Sequence, residues 1–186
     1  MNIGVLALQG CVDRHQKHIE ACGAKFFEVK NSKDLKNIDG LILPGGESST
    51  MLKALHNFDF FAELKTFCEH KAVWGICAGA ILLAKEVVHP EQESLGLVDI
   101  RVARNAYGSQ LDSFNTSIRD YTVSFIRAPK FEILNAERIE ILDSQEAEVL
   151  CLRQGNIMLS AFHPELNESA PSPWHSYFVN SFLTIA

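Results

Sequence analysis

At 186 residues, with 47% hydrophobic and 22% charged side chains, the chain has the length of one domain and lacks the low-hydrophobicity, high-charge profile of disorder. A net charge of −6 gives no electrostatic reason to seek phosphate backbones or anionic lipid, which disfavours nucleic acid and membrane partners. The five cysteines show neither the close pairing of a zinc site nor a redox C-x-x-C, so reduced thiols and no bound metal are expected. The chain starts without a basic leader, and its longest apolar stretch, residues 73–84, is well short of the ~20 residues that span a bilayer. A cytoplasmic location is the expectation.

In chain order, residues 2–8 read as a buried strand, 12–22 as a helix, 25–29 as a strand and 39–43 as a strand ending at Pro44-Gly45-Gly46. Residues 50–55 look helical, and Phe58, Phe61, Leu64 and Phe67 recur as one face of an amphipathic helix would. Residues 72–76 form a strand and 78–85 a helix. Strands alternating with helices predict an α/β fold, an open and mostly parallel sheet with helices on both faces. The second half is β-rich, with runs at 97–104, 122–126, 138–142, 148–152 and 156–161, and predicts a mixed or antiparallel extension of that sheet. Residues 174–183 close the chain as a helix with Trp174, Tyr177, Phe178 and Phe182 inward. No repeat or long linker interrupts the chain, so residues 1–186 are expected to be a single domain.

Three segments carry chemistry. Gly75-Ile76-Cys77-Ala78-Gly79 sits where an apolar strand meets a helix, with glycine two residues to either side of the cysteine. A nucleophile on a sharp strand-to-helix turn needs a strained backbone and close neighbouring chain, and a helix amino terminus favours the thiolate. The bland alternative is a small buried hydrophobe, which is how Cys22 and Cys68 read; Cys11 and Cys151 also lack supporting context. In Phe162-His163-Pro164-Glu165, proline restricts the backbone of His163 to extended geometry, and Glu165 can reach its ring. A thiol needs a base, and that base works best when a third group holds its tautomer. His163 could instead be a turn residue. His15, His18, His56, His70, His89 and His175 lack such a setting and read as surface or capping residues. The third segment, Pro44-Gly45-Gly46-Glu47-Ser48, ends a strand with a glycine pair whose N–H groups could face a developing oxyanion, while Ser48 to Thr50 could simply cap the next helix.

These segments occur in one order with Leu6-Ala7-Leu8-Gln9-Gly10, Arg104-Asn105-Ala106-Tyr107-Gly108 and Phe125-Ile126-Arg127-Ala128-Pro129. The set closely resembles the class I glutamine amidotransferases and, within them, the glutaminase subunits of pyridoxal 5′-phosphate synthase. The resemblance implies a flavodoxin-like open sheet and a Cys-His-Glu triad at Cys77, His163 and Glu165. It implies glutamine contacts from Gly46, Glu47, Ser48, Arg104, Ile126 and Arg127, and an oxyanion site from the Gly46 loop and the N–H of Ala78. Gln9 looks like the family residue near the active site and the synthase interface. The implied partner is a separate synthase subunit in a large heteromeric assembly that receives the ammonia, and pyridoxal phosphate would be a product, with no cofactor on this chain. Two departures stand out: Ser109 replaces the common arginine after Tyr-Gly, and residues 113–125 are shorter than usual. A glutaminase serving a different synthase and a non-catalytic regulatory domain of the same fold are the competing readings.

Overall fold

A computed structural model describes residues 1–104 and 113–183. β1 (Asn2–Leu6) leads through a 3₁₀ turn at Asp13–His15 into α1 (Gln16–Ala21), and β2 (Lys25–Val29) returns to pair with β1 in parallel. A second 3₁₀ turn, Ser32–Asn37, is closed at its start by reciprocal bonds between Asn31 and Asp34, and leads to β3 (Gly40–Leu43). α2 (Ser48–Asn57), α3 (Phe61–His70), β4 (Ala72–Ile76) and α4 (Ala78–Leu83) follow. The helix expected over 78–85 is thus shorter. Ala84–Val88 is instead a strand, β5, parallel to β6 (Val98–Ala103), which pairs with β9 (Lys130–Ile133) in a small three-stranded sheet. Its continuous apolar lead-in, Ile81-Leu82-Leu83-Ala84, hides the change of period.

Between those strands β7 (Ser113–Ile118) and β8 (Tyr121–Ile126) form a separate antiparallel hairpin. Its two-residue turn, Arg119-Asp120, has φ of 54° and 58°, the backbone of a tight primed turn. The short 113–125 segment is therefore a hairpin with a minimal loop, stapled by stacked Phe114 and Phe125 rings. β10 (Glu140–Gln145), β11 (Glu148–Gln154) and β12 (Ile157–Ser160) complete the main sheet. The chain closes with α5 (Pro173–Tyr177) and a π-helical turn, Phe178–Phe182.

The main sheet has the order β10-β11-β12-β4-β3-β1-β2, with five parallel strands from β12 to β2 and an antiparallel edge of β11 and β10. Of the β-rich second half, only the runs at 138–142, 148–152 and 156–161 extend this sheet; those at 97–104 and 122–126 build the smaller ones, a partition that strand periodicity does not encode. Trp74 and Gly75 on β4 point to opposite faces. Trp74 meets His15, His175 and Phe178, whereas a side chain at Gly75 would strike Leu83 and Ala80 of α4, so helices cover both faces. That is why β3 and β4 are buried at every residue.

Two packing expectations change. Phe58 is 66% exposed at the end of α2, and the inward face of α3 is set by Phe60, Leu64 and Cys68. A spacing of four stays on one helical face, whereas repeated steps of three drift off it. His15, His18 and His175 are fully buried and are not surface residues, because each stacks with or hydrogen-bonds to another of the three.

Candidate active site

The chain leaves β1 for β2 on one side and returns for β3 on the other, so a crevice opens at the carboxyl ends of β1 and β3, where open α/β sheets place their ligands. A cavity of ≈ 290 Å³ lies there, within the size of a small-molecule site. Gln9, Gly10 and Cys11 after β1, Gly45 to Ser48 after β3, Cys77 and Ile81 after β4, and His163 and Leu166 after β12 line it, with Arg104, Ile126 and Arg127.

Cys77 has φ 48° and ψ −100°, outside even the left-handed helical well, at a cost of about 1–3 kcal/mol. The strain falls on the cysteine itself, and the flanking glycines serve close approach. A Cβ at Gly79 would lie 2.1 Å from the Leu43 carbonyl oxygen, and one at Gly75 would lie 2.9 Å from the Ala80 nitrogen. Backbone bonds hold the turn: Cys77 N–H donates to Ser160 O at 2.8 Å, and Cys77 O accepts from Ile81 N–H at 3.1 Å. Ala78 opens α4, in the first turn whose N–H groups have no partner within the helix.

His163 follows β12 in extended geometry and is tied to β8 by its N–H, which donates to Ser124 O at 2.8 Å. Tyr121 of β8 reinforces the strap by donating its hydroxyl to Ser169 O. Through Nδ1 the His163 ring bonds to Glu165 Oε1, 2.8 Å away, while the Cys77 thiol, which donates to the Ile126 carbonyl at 3.9 Å, lines the same cavity. Burial disfavours charge on the ring, but its interactions with Cys77 and Glu165 outweigh it and raise the pKa to about 10. For Glu165, fully buried, burial opposes ionisation and the hydrogen bond to His163 prevails, so its carboxyl titrates below the usual range. Thiol and imidazole therefore stand together at the cavity wall, with the carboxylate hydrogen-bonded behind the ring. Gly45 makes room for it: a Cβ there would stand 2.1 Å from His163 Cε1.

Gln9 Oε1 accepts the Glu47 N–H at 2.8 Å and so fixes the loop after β3. Glu47 in turn accepts from Arg104 at 2.9 Å and from the Ser49 hydroxyl at 3.0 Å. Ser48 donates to Gln92 Oε1 at 3.0 Å, and no side chain caps α2, so the capping role open to Ser48 to Thr50 is not used. Arg127, just past β8, has φ 43°. All the residues expected to contact glutamine, Gly46, Glu47, Ser48, Arg104, Ile126 and Arg127, meet at this cavity. Ser109 and the rest of the Arg-Asn-x-Tyr-Gly segment after Arg104 lie outside the described residues. Sequence reasoning passed over Cys11, whose thiol burial pushes up to about 11, along with Ile81, Leu166 and Gln92; the only signal for Cys11 was its place directly after Leu-Gln-Gly. Among the described residues, no group of three or more histidine, cysteine or acidic side chains is arranged to hold a metal ion, and no helix is long and apolar enough to cross a membrane.

The chain is 42% identical to the pyridoxal 5′-phosphate synthase subunit PdxT of Oenococcus oeni over 185 residues, covering 96% of this chain and 95% of that relative. It is also 42% identical to the protein of the same name from Listeria monocytogenes, over 97% of this chain and 98% of the relative. A crystal structure described as a glutamine amidotransferase superposes with a TM-score of 0.87 at 37% identity, covering 98% of this chain and 99% of the other. The model of the SNO glutamine amidotransferase family matches residues 5–184, and the chain belongs to that family.

Proposed function

We propose that Cys77 is the nucleophile, His163 the base and Glu165 its orienting acid in the hydrolysis of L-glutamine to L-glutamate and ammonia, and that residues 1–186 form one glutaminase domain. The observation that carries this reading is that Cys77 and His163 line one cavity sized for one amino acid, with the His163 ring hydrogen-bonded from behind to the buried Glu165. The sulfur attacks the carboxamide carbon as the thiolate, its proton already resting on His163, whose ring keeps a proton up to about 10. The oxygen of the tetrahedral intermediate takes N–H groups of Ala78 and the Gly46 loop. His163 returns the proton to the nitrogen, the C–N bond breaks and ammonia leaves. Water, deprotonated by His163, then cleaves the γ-glutamyl thioester, releasing glutamate and restoring the thiolate. Arg104 and Arg127 suit the free carboxylate of glutamine, and Glu47, Ser48 and Ile126 complete its surroundings.

The ammonia serves pyridoxal 5′-phosphate synthesis through a synthase subunit, a reading supported by relatives that are named as subunits of pyridoxal 5′-phosphate synthase. A large heteromeric assembly, with Gln9 near the interface, no role for nucleic acid or membrane, and a cytoplasmic location complete the proposal. Replacing Cys77 by alanine should abolish glutamate release in the presence of the synthase subunit; retained turnover would sink the assignment. Isolated chain should turn over slowly and accelerate with the partner, and equal rates would refute that gating.

A further inference from the structure

Behind Glu165, on the face of the sheet opposite α4, lies a group of polar side chains that the hydrolysis does not use. His15 ends the 3₁₀ turn before α1, His18 lies on α1, and Ser172 and His175 stand at the start of α5; all four are fully buried. Their hydrogen bonds fix where the protons sit. The Ser172 N–H, which can only donate, points at His18 Nδ1 from 3.1 Å, so neutral His18 carries its hydrogen on Nε2, facing the backbone carbonyls of Glu165 and Asn167. Ser172 Oγ accepts the His175 N–H at 3.2 Å and lies 2.7 Å from His175 Nδ1, while His175 Nε2 lies 2.9 Å from His15 Nδ1.

Two arrangements satisfy this chain. In one, the Ser172 hydroxyl donates to His175 Nδ1, His175 Nε2–H donates to His15 Nδ1, and His15 Nε2 carries the last hydrogen. In the other, every proton is reversed and His15 Nε2 is a bare lone pair. The buried atoms left over decide between them. In this cluster His15 Nε2, His18 Nε2 and Glu165 Oε2 lack a partner in hydrogen-bond geometry among the described residues, and the His18 hydrogen is directed to the backbone of Glu165 and Asn167, which leaves His15 Nε2 for the carboxylate. The turn bearing His15 packs on the turn bearing Glu165, and the carboxylate charge acts on the His15 ring. An N–H beside a buried carboxylate is attracted to it, whereas a lone pair there is repelled.

We propose that His15 is a positioning residue of the triad: its Nε2–H, oriented by Ser172 through His175, serves Glu165 Oε2 and so holds the carboxylate whose Oε1 binds His163. The assignment rests on the triad role given to Glu165 above. Burial keeps the relay neutral, lowering the His15 pKa to about 4 and that of His175 well below its ordinary value. With Oε1 bonded to His163 and Oε2 drawn toward the His15 N–H, turning of the carboxylate is opposed, and the His163 ring is held toward Cys77.

Nitrogen-15 NMR of the unmutated, histidine-labelled protein reads the His15 tautomer directly. Hydrogen on Nε2 is expected, and hydrogen on Nδ1 with a bare Nε2 would overturn the relay even if every variant failed to fold. Glutamate release with the synthase subunit present then tests its effect. His15→Phe should lower kcat about 10-fold, the scale of one hydrogen bond to a charged group, with KM little changed. It should also move the acid limb of the kcat profile to higher pH, because the Glu165 carboxylate loses a donor. His15→Gln, whose amide N–H can reach the same place, should recover most of both. Wild-type kcat and an unmoved limb in His15→Phe, or a His15→Gln as slow as His15→Phe, would overturn the proposal. Cys77→Ala runs alongside, so that a failure of the triad itself shows as retained turnover there and is told apart from a failure of the relay.

Discussion

Two groups of histidine lie on either side of Glu165, equally removed from water and opposite in behaviour. His163, 5% exposed, holds its proton up to about 10; His15, 0% exposed, gives up its proton down to about 4. Burial pushes both rings toward the neutral form. The difference is the company each keeps: His163 has the Glu165 carboxylate at 2.8 Å and the Cys77 sulfur, whereas His15 has a neutral histidine at 2.9 Å and the carboxylate only beyond hydrogen-bond geometry. A charged partner in direct contact, more than depth, decides which histidine can hold a proton for chemistry.

The sharpest way to break that comparison is Glu165→Gln, which should make His163 resemble His15. We expect kcat for glutamate release to fall on the order of 10³-fold, as when the orienting carboxylate of a triad loses its charge. The His163 pKa, followed by NMR, should drop toward or below neutrality. A ring still protonated at pH 8 in this variant would show that Glu165 is not what sets it.

Gly45→Ala leaves the charges in place and disturbs only geometry. Its Cβ would stand 2.1 Å from His163 Cε1, so the ring must shift, and kcat should fall on the order of 10²-fold while thermal stability changes little. Wild-type turnover would mean that the loop after β3 gives way instead.

The same contrast should appear in stability against pH. Between pH 6.5 and 4 the unfolded chain binds a proton at His15 that the folded chain does not, so stability is present above this window and is lost as pH falls through it. From pH 7 to pH 5, His15 alone should cost about 2 kcal/mol in urea unfolding, with His18 and His175 acting in the same direction. His163 acts oppositely: its contribution is full below pH 6.5 and is lost as pH rises toward about 10. Stability flat between pH 7 and pH 5 would show that the buried cluster does not stay neutral. The smallest effect is expected from Arg104→Lys, which keeps the charge but loses the planar fork beside Glu47; KM for glutamine should rise several-fold with kcat nearly unchanged.

Local pattern exposed the parallel half of the fold because buried strands are short and apolar and end where glycine and proline begin. β1, β2, β3 and β4 fall where periodicity put them. β5 and β9 did not show, since a strand of Ala84-Lys85-Glu86-Val87-Val88 continues an apolar helix without a break, and Lys130–Ile133 is only four residues long. The hairpin of β7 was illegible for another reason: Ser113–Ile118 carries only Phe114 and Ile118 as large apolar residues, four apart and out of a clean alternation with its polar positions, and what makes it a strand is its pairing with β8. Among the histidines, a proline and a carboxylate beside His163 marked it in the sequence. His15, His18 and His175 carry no such mark, because their partners lie as far as 160 residues away.

By itself the sequence determined where a strained turn could form, which proline would extend the backbone before a carboxylate, and which ordered set of motifs this chain shares with its family. These are properties of neighbours along the chain, set by side-chain volume, φ restriction and hydrogen-bonding capacity within a few residues. Tertiary structure alone decided that Cys77 meets His163, that Gly45 clears space for that ring, and that three distant histidines close around the back of Glu165. Such contacts arise from the order in which strands cross in the sheet and from helices packing on both its faces, and neither is written in any local stretch of residues.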